Sequence, residues 1–422
     1  MDGRLAPPGT RDLGAAENHL MNRHPGLFSL ALLGSILFLS TIAADVSGQS
    51  GGGAPSLDAL KGSTSVAAAG PQIAAAIDAQ VKNLMSADPA AAARAREELI
   101  DAANPGRVNP TAAFLNAYAG ALNTGIATAL KHESDLVRLN AAIIVARVAE
   151  RTDNSAAALQ GATITLLNDP SPFVVLWGLK AARAVIPAML RNPAINPGAM
   201  FTALVKAAGA HASGVMGSPI AIEAYEALTL DIFDPGRKPT DAELLKVIPI
   251  MQQLLQQRVQ MYIKTLPPEP LAENRATLFL VNSRVWAQHD AKQKLASVQI
   301  MSNLANLGAQ HYAAAAPELR VELAPMIANV AAAIAVVPES APIQAQLGPA
   351  VKINAGTDPQ EVMQAVSAIV PALKTVKAFA AIQPPPSIAP TGEGVAGGGG
   401  TTQPATSPTT AGAAPAAAAS SP

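Results

Sequence analysis

The chain has no cysteine among its 422 residues, and only 3% of them are aromatic and 14% charged. Without cysteine, disulfides, thiolate nucleophiles, cysteine-ligated metals and an acylated-cysteine anchor are excluded. Scarce aromatics argue against sandwiches and barrels, whose pleated surfaces favour aromatic and β-branched side chains. The 29 basic and 30 acidic side chains leave a formal net charge of −1 and form no long block of either sign. The electrostatic footprint of a nucleic-acid binder is therefore missing. What is abundant is small and apolar: half of the chain is hydrophobic, with alanine leading, and alanine has the highest helix propensity. The fold class implied is all-α.

A recurring start signal supports this. A small polar residue followed by proline stands at Asp88-Pro89, Asn109-Pro110, Ser171-Pro172, Asn196-Pro197 and Ser218-Pro219. The polar side chain accepts from the unpaired amides of a first helical turn, and proline suits the next position because it lacks an amide and has a helical φ. Adding Ser134, Asn154 and Thr240 gives a start every 20 residues or so, hence a helical hairpin every 40 or so, a period typical of helical repeats.

The segments also resemble one another. Ser134-Asp135-Leu136-Val137-Arg138 opens an alanine-rich stretch, and Ser171-Pro172-Phe173-Val174-Val175 repeats it 37 positions on, with Gly178 in place of Ala141. Ser218-Pro219-Ile220-Ala221-Ile222 opens a third copy 47 positions later, and Val175 and Ile222 replace the arginine. Over residues 86–230 this pattern resembles the HEAT/armadillo family of helical repeats. The resemblance implies an α-α superhelix over 72–240 whose stacked helices recognise other proteins. Longer helical patterns follow in 241–382: Asp241–Leu266, which Pro249 should kink or interrupt, Ala272–Leu307, Pro317–Val336 and Asp358–Ala381. These read as a bundle that closes the stack.

The ends differ from the middle. Residues 1–20 are a polar extension, and Met21 is an alternative start to Met1. Met21-Asn22-Arg23-His24 precedes the apolar run Leu27–Ala44, with Thr41 and Ala43 spaced as a signal peptidase requires, so 21–44 read as a secretory signal, or as a membrane anchor if uncleaved. No other stretch is long and apolar enough to span. Residues 45–71 read as a flexible Gly/Ser-rich linker and 383–422, with Pro384-Pro385-Pro386 and Gly397–Gly400, as a disordered tail.

Residues able to carry chemistry are few, and each has a plainer explanation. His132, Glu133 and Asp135 read as a solvated loop that caps the next helix. Asp231, Asp234 and Asp241 fit no calcium loop, and Gly209, Gly214 and Gly217 lack the lysine and hydroxyl of a phosphate-binding loop. His289-Asp290 and His311-Tyr312 are isolated pairs. Trp177, Phe173, Leu176, Trp286, Phe279 and Tyr262 read as core. No catalytic, metal or cofactor site is assigned. The expected function is an exported, protein-binding scaffold of the cell envelope, without nucleic acid and touching membrane only through 27–44. The alternatives are a secreted helical enzyme acting on cell-wall polymers through two carboxylates from separate helices, and a purely structural envelope component.

Overall fold

The computed structural model describes residues 56–233, 238–267 and 269–388. The signal or anchor segment 21–44, the polar extension 1–20, residues 45–55 of the 45–71 linker, residues 389–422 and Asp234 lie outside them. Every regular element among the described residues is helical, with no strand, so the chain is all-α. Helices of eight or more residues are numbered here. The first six are α1 (Val66–Leu84), α2 (Pro89–Asp101), α3 (Ala112–Gly125), α4 (Asp135–Thr152), α5 (Gln160–Leu167) and α6 (Pro172–Arg191). Then come α7 (Gly198–Ala210), α8 (Gly217–Leu228), α9 (Asp241–Lys264) and α10 (Asn274–Val281). The last four are α11 (Ala291–Ala314), α12 (Pro317–Val336), α13 (Gln344–Val351) and α14 (Pro359–Ser367).

They pack in two layers. Odd-numbered helices α1 to α11 lie against one another in sequence, even-numbered helices α2 to α12 do the same, and α11 packs broadly on α12. The order reverses at the end, where α13 joins α12 and α14 joins α11. Contacts continue across residue 240, since α9 touches α7 and α8 as well as α11. The C-terminal helices thus extend the layers; they are not a separate bundle.

Several starts fall where capping chemistry placed them. Asp88, Ser134, Ser171 and Thr240 are N-caps, and Thr240 forms a reciprocal capping box with Glu243. Others shift. Asn109 precedes Pro110 and is held extended, so Thr111 becomes the cap, its Oγ1 accepting from the Phe114 amide at 3.1 Å. Asn196 accepts from Gly198 in a turn, and α7 starts after it. Asn154 sits inside a 3-10 turn, Asp153–Leu159. Ser218 is inside α8, buried, and accepts from the Glu269 amide instead of capping.

The linker reading fails for its last part. Leu57–Leu60 forms a helical turn with Leu57 and Leu60 buried, and α1 begins at Val66. Buried Lys61 pairs with Asp58 at 2.8 Å and donates to the Asn104 carbonyl, while the Thr111 amide donates to the Lys61 carbonyl. Two leucines in a glycine-rich stretch suffice to dock it. Pro249 neither breaks nor ends α9. Pro249 and Leu245, whose carbonyl loses its helical partner, are both exposed, so water can satisfy what proline removes. The Ala272–Leu307 pattern breaks at two caps, Asn282 and Asp290, the latter a capping box with Gln293. Asp358–Ala381 likewise divides into α14, Ile369–Lys374 and a 3-10 turn.

α6 and α12 are each long and apolar enough to cross a membrane by length and composition, contrary to the expectation that only 27–44 would be. Both lie within the layers: α6 packs against α4, α5 and α8, and α12 against α10, α11 and α13.

Candidate functional site

The outer surface of the even-numbered layer carries a ridge of charge and aromatic rings. Half-buried Trp177 on α6 lies beneath two cations, the Arg147 guanidinium of α4 at 5.4 Å from the ring centroid and the Lys180 ammonium at 4.9 Å. Positions three apart on α6 meet positions three apart on α8: Lys180 pairs with Glu223 at 3.7 Å and Arg183 with Glu226 at 3.9 Å. Glu226 also forms an ion pair with Arg275 of α10, with Nε 2.8 Å from Oε1 and Nη2 donating to Oε2 at 3.4 Å, and the Arg275 guanidinium covers the Phe233 ring at 4.2 Å. Burial pushes the Glu223 carboxyl up from its ordinary range, against the pull of Lys180 and Arg183. Exposed ion pairs contribute about 0–1 kcal/mol and exposed cation–π contacts about 0.5–1 kcal/mol.

Apolar side chains lie exposed at the starts of the same layer. Leu136 and Phe173 are the second residues of α4 and α6, Val215 and Leu271 shortly precede α8 and α10, and Leu319 is the third residue of α12; Leu136 is 66% and Phe173 52% exposed. Of the α6 residues expected in the core, Phe173 is exposed, whereas Leu176 and Trp177 are half-buried and pack against its edge. The apolar stripe of α6 is carried instead by Val174, Val175, Leu179, Ala182, Val185 and Ile186, all buried. By contrast Trp286, Phe279 and Tyr262 are buried as expected.

The polar candidates resolve into structural roles. His132, Glu133 and Asp135 converge on Arg138, which donates to the His132 and Glu133 carbonyls, to Asp135, and at 2.8 Å to Asp169 in the next inter-helix turn. Asp169 in turn accepts from the Ser171 amide, so one guanidinium ties two successive turns. Arg138→Ala should lower the unfolding free energy by about 1–2 kcal/mol, because charge-assisted bonds to a largely buried carboxylate are lost; urea denaturation measures it, and an unchanged midpoint would show that the tie is idle.

Asp241 is in the first turn of α9, 3.5 Å from Arg284, while Asp231 lies in the turn after α8 with positive φ. His, Asp and Glu form no cluster of metal-binding size among the described residues. Gly214 has positive φ in the loop before α8, and Gly217 opens that helix. A Cβ on Gly217 would lie 2.2 Å from the Ala212 carbonyl oxygen, so close backbone approach requires the glycine. His289 is buried between the Val285 carbonyl and Ser297 Oγ, and burial lowers its pKa. Asp290 is a cap. His311 bonds the Tyr262 carbonyl at 2.8 Å, while the Tyr312 hydroxyl is enclosed by three carbonyls between Asn354 and Thr357.

One buried charge pair had no sequence signal. Glu273, fully buried before α10, pairs with Arg258 of α9 through Oε1, and the Tyr262 hydroxyl lies 3.2 Å from its Oε2. Burial pushes the Glu273 carboxyl up, opposed by Arg258; burial also works against the Arg258 charge, and Glu273 together with Tyr225 and Tyr262 turns the net shift upward. Arg258 Nη2 and the Tyr225 hydroxyl of α8 have no protein partner. Both residues line a cavity of about 10 Å³ with Ala208, Ala212, Gly217 and Ala221, room for one water-sized group and no substrate. A larger open groove of about 560 Å³ lies between α13 and α14, lined by Gln346, Lys352, Thr357 and Glu361 among others. Glu361 is the one carboxylate in that lining, whereas glycoside hydrolysis requires a pair.

No protein-family model matches the chain, and no curated protein matches it.

Proposed function

We propose that this chain is an exported helical-repeat scaffold of HEAT-like type whose even-layer ridge docks protein partners in the cell envelope. Trp177 carries the reading: a half-buried ring at the surface, gripped by Arg147 and Lys180, in a chain with two tryptophans in all. Tryptophan and arginine dominate the energetics of protein interfaces, and a rim of polar pairs around an apolar anchor is their usual anatomy. The apolar residues at the helix starts widen the surface that a partner would cover. Stacked helices suit this use because each contacts only its neighbours and the array offers an extended face. Export rests on the run Leu27–Ala44 and the small residues Thr41 and Ala43 near its end.

The experiment is affinity capture from native envelopes with the full chain and its Trp177→Ala variant. A partner held by the wild-type chain should bind the variant about 30-fold more weakly, equivalent to about 2 kcal/mol, while thermal unfolding of the variant changes little. Equal capture by both chains would remove the ridge from consideration, and a bound glycan that is slowly cleaved would replace the scaffold reading with the enzyme one. N-terminal sequencing of the mature protein tests export: a terminus just after residue 43 fits cleavage, and one at Met1 or Met21 in the soluble cytoplasmic fraction refutes it.

A further inference from the structure

After the last helical turn, residues 383–388 run without secondary structure along α11, although 383–422 had been expected as a disordered tail. Gln383, Pro384 and Pro385 each precede a proline, which confines them to extended backbone. Pro384–Pro386 have no amide hydrogen, so the segment offers carbonyls and little else to a partner. Facing it, α11 presents carboxamides at Gln299, Asn303, Asn306 and Gln310, whose spacing of four, three and four puts them on one helix face.

These carboxamides grip the segment by its backbone alone. Gln299 accepts from the Gln383 amide at 2.6 Å and donates to the Gln383 carbonyl at 3.2 Å, and it is braced by Asn303 at 2.9 Å. Asn306 and Gln310 both donate to the Pro386 carbonyl, at 3.1 and 3.2 Å, and Gln310 accepts from the Ile388 amide at 2.9 Å. The registers agree. Three extended residues from Gln383 to Pro386 advance about 9 Å at the polyproline rise, and seven helical residues from Gln299 to Asn306 advance about 10.5 Å. Ile388 supplies an apolar anchor packed on the core, while Gln383, Pro384 and Ser387 remain exposed, so the segment lies on the surface.

We propose that this carboxamide column is a docking site for extended proline-rich segments, occupied in cis by residues 383–388 and taken in trans by a proline-rich segment of a partner protein. No hydrogen bond between column and strap reads a strap side chain, so shape and proline content select the ligand. A tethered segment acts at an effective concentration of about millimolar, so a partner at micromolar concentration enters only when the strap is weakened or its own affinity is higher. The column belongs to the odd-numbered layer, and its success or failure is independent of the Trp177 ridge.

The test uses full-length chains and a fluorescent, amidated hexapeptide of residues 383–388, followed by anisotropy. The P384G/P385G/P386G variant, with a weakened strap and an intact column, should bind the peptide at least tenfold more tightly than the wild-type chain. Adding N306A/Q310A to that variant should abolish the gain, with circular dichroism reporting the helix content. If that chain unfolds, Gln310→Glu in its place removes one donor, keeps an acceptor, and should still cost several-fold. Failure of the weakened strap to raise binding, or binding that survives loss of the column, overturns the proposal. A concentration-dependent dimer of the wild-type chain also overturns it, by assigning the column to a second copy's strap.

Discussion

Replacing Glu273 by alanine is expected to lower the unfolding free energy by about 3–5 kcal/mol, the usual effect of stranding a buried partner charge. Arg258 would remain with 3% exposure, one guanidinium nitrogen already unpartnered, and no other carboxylate among its hydrogen-bond partners. The side chain cannot escape by deprotonation, since a guanidinium keeps its proton in proteins. The double variant Arg258→Met with Glu273→Leu should return to within about 1–2 kcal/mol of wild type, because removing both charges avoids the desolvation that the single change exposes. Chemical denaturation of the three chains measures both effects. A Glu273→Ala loss below about 1 kcal/mol would mean that Arg258 reaches water and that the pair does not lock α9 to the turn before α10.

The second large effect concerns a crossing. Gly178 lies where α6 meets α5, and an added Cβ would sit 2.9 Å from the Leu166 Cβ and 3.2 Å from the backbone of Leu166 and Leu167. Gly178→Val should cost about 3 kcal/mol, the upper end for overpacking a filled core, since the obstructing atoms are backbone and Cβ and cannot rotate away. Gly120 on α3 is the control. It is exposed, nothing lies within 4 Å of its would-be Cβ, and Gly120→Ala should stabilise by about 0.5–1 kcal/mol through helix propensity. Two glycines in helices thus carry opposite predictions, and thermal or denaturant midpoints moving the same way for both would refute the packing explanation.

Particular residues show why some of this was legible. Asp88, Ser171 and Thr240 start helices because the cap and the residues it serves are neighbours in the chain, and local chemistry is complete within four positions. The same logic holds for Asn282 and Asp290, but their signal was masked by an apolar period that runs through both breaks. Phe173 was misplaced because an apolar stripe predicts which face turns inward, while its width depends on how closely the neighbouring helices approach. Val174 and Leu179 fill that space, Phe173 is left exposed, and the Trp177 ring packs at the edge of the core beneath Arg147. Tyr225 and Arg258 lie 33 residues apart, and Glu273 another 15 beyond; nothing local marks an acid in a 3-10 turn as the partner of an arginine on the preceding helix. The strap was obscured for the opposite reason. Its composition is that of a tail, and only the carboxamide column, more than 70 residues earlier, gives its backbone bonds a destination.

The sequence by itself determined that this protein is helical, where several of its first turns lie, and that thiol chemistry was excluded, because propensity, caps and composition are properties of residues and their near neighbours. The tertiary structure alone decided which side chains remain on the surface, which charges are buried together and which polar tail segment is held. Those outcomes depend on distances between elements far apart in the chain, where burial and desolvation, several kcal/mol per charge, outweigh any local preference.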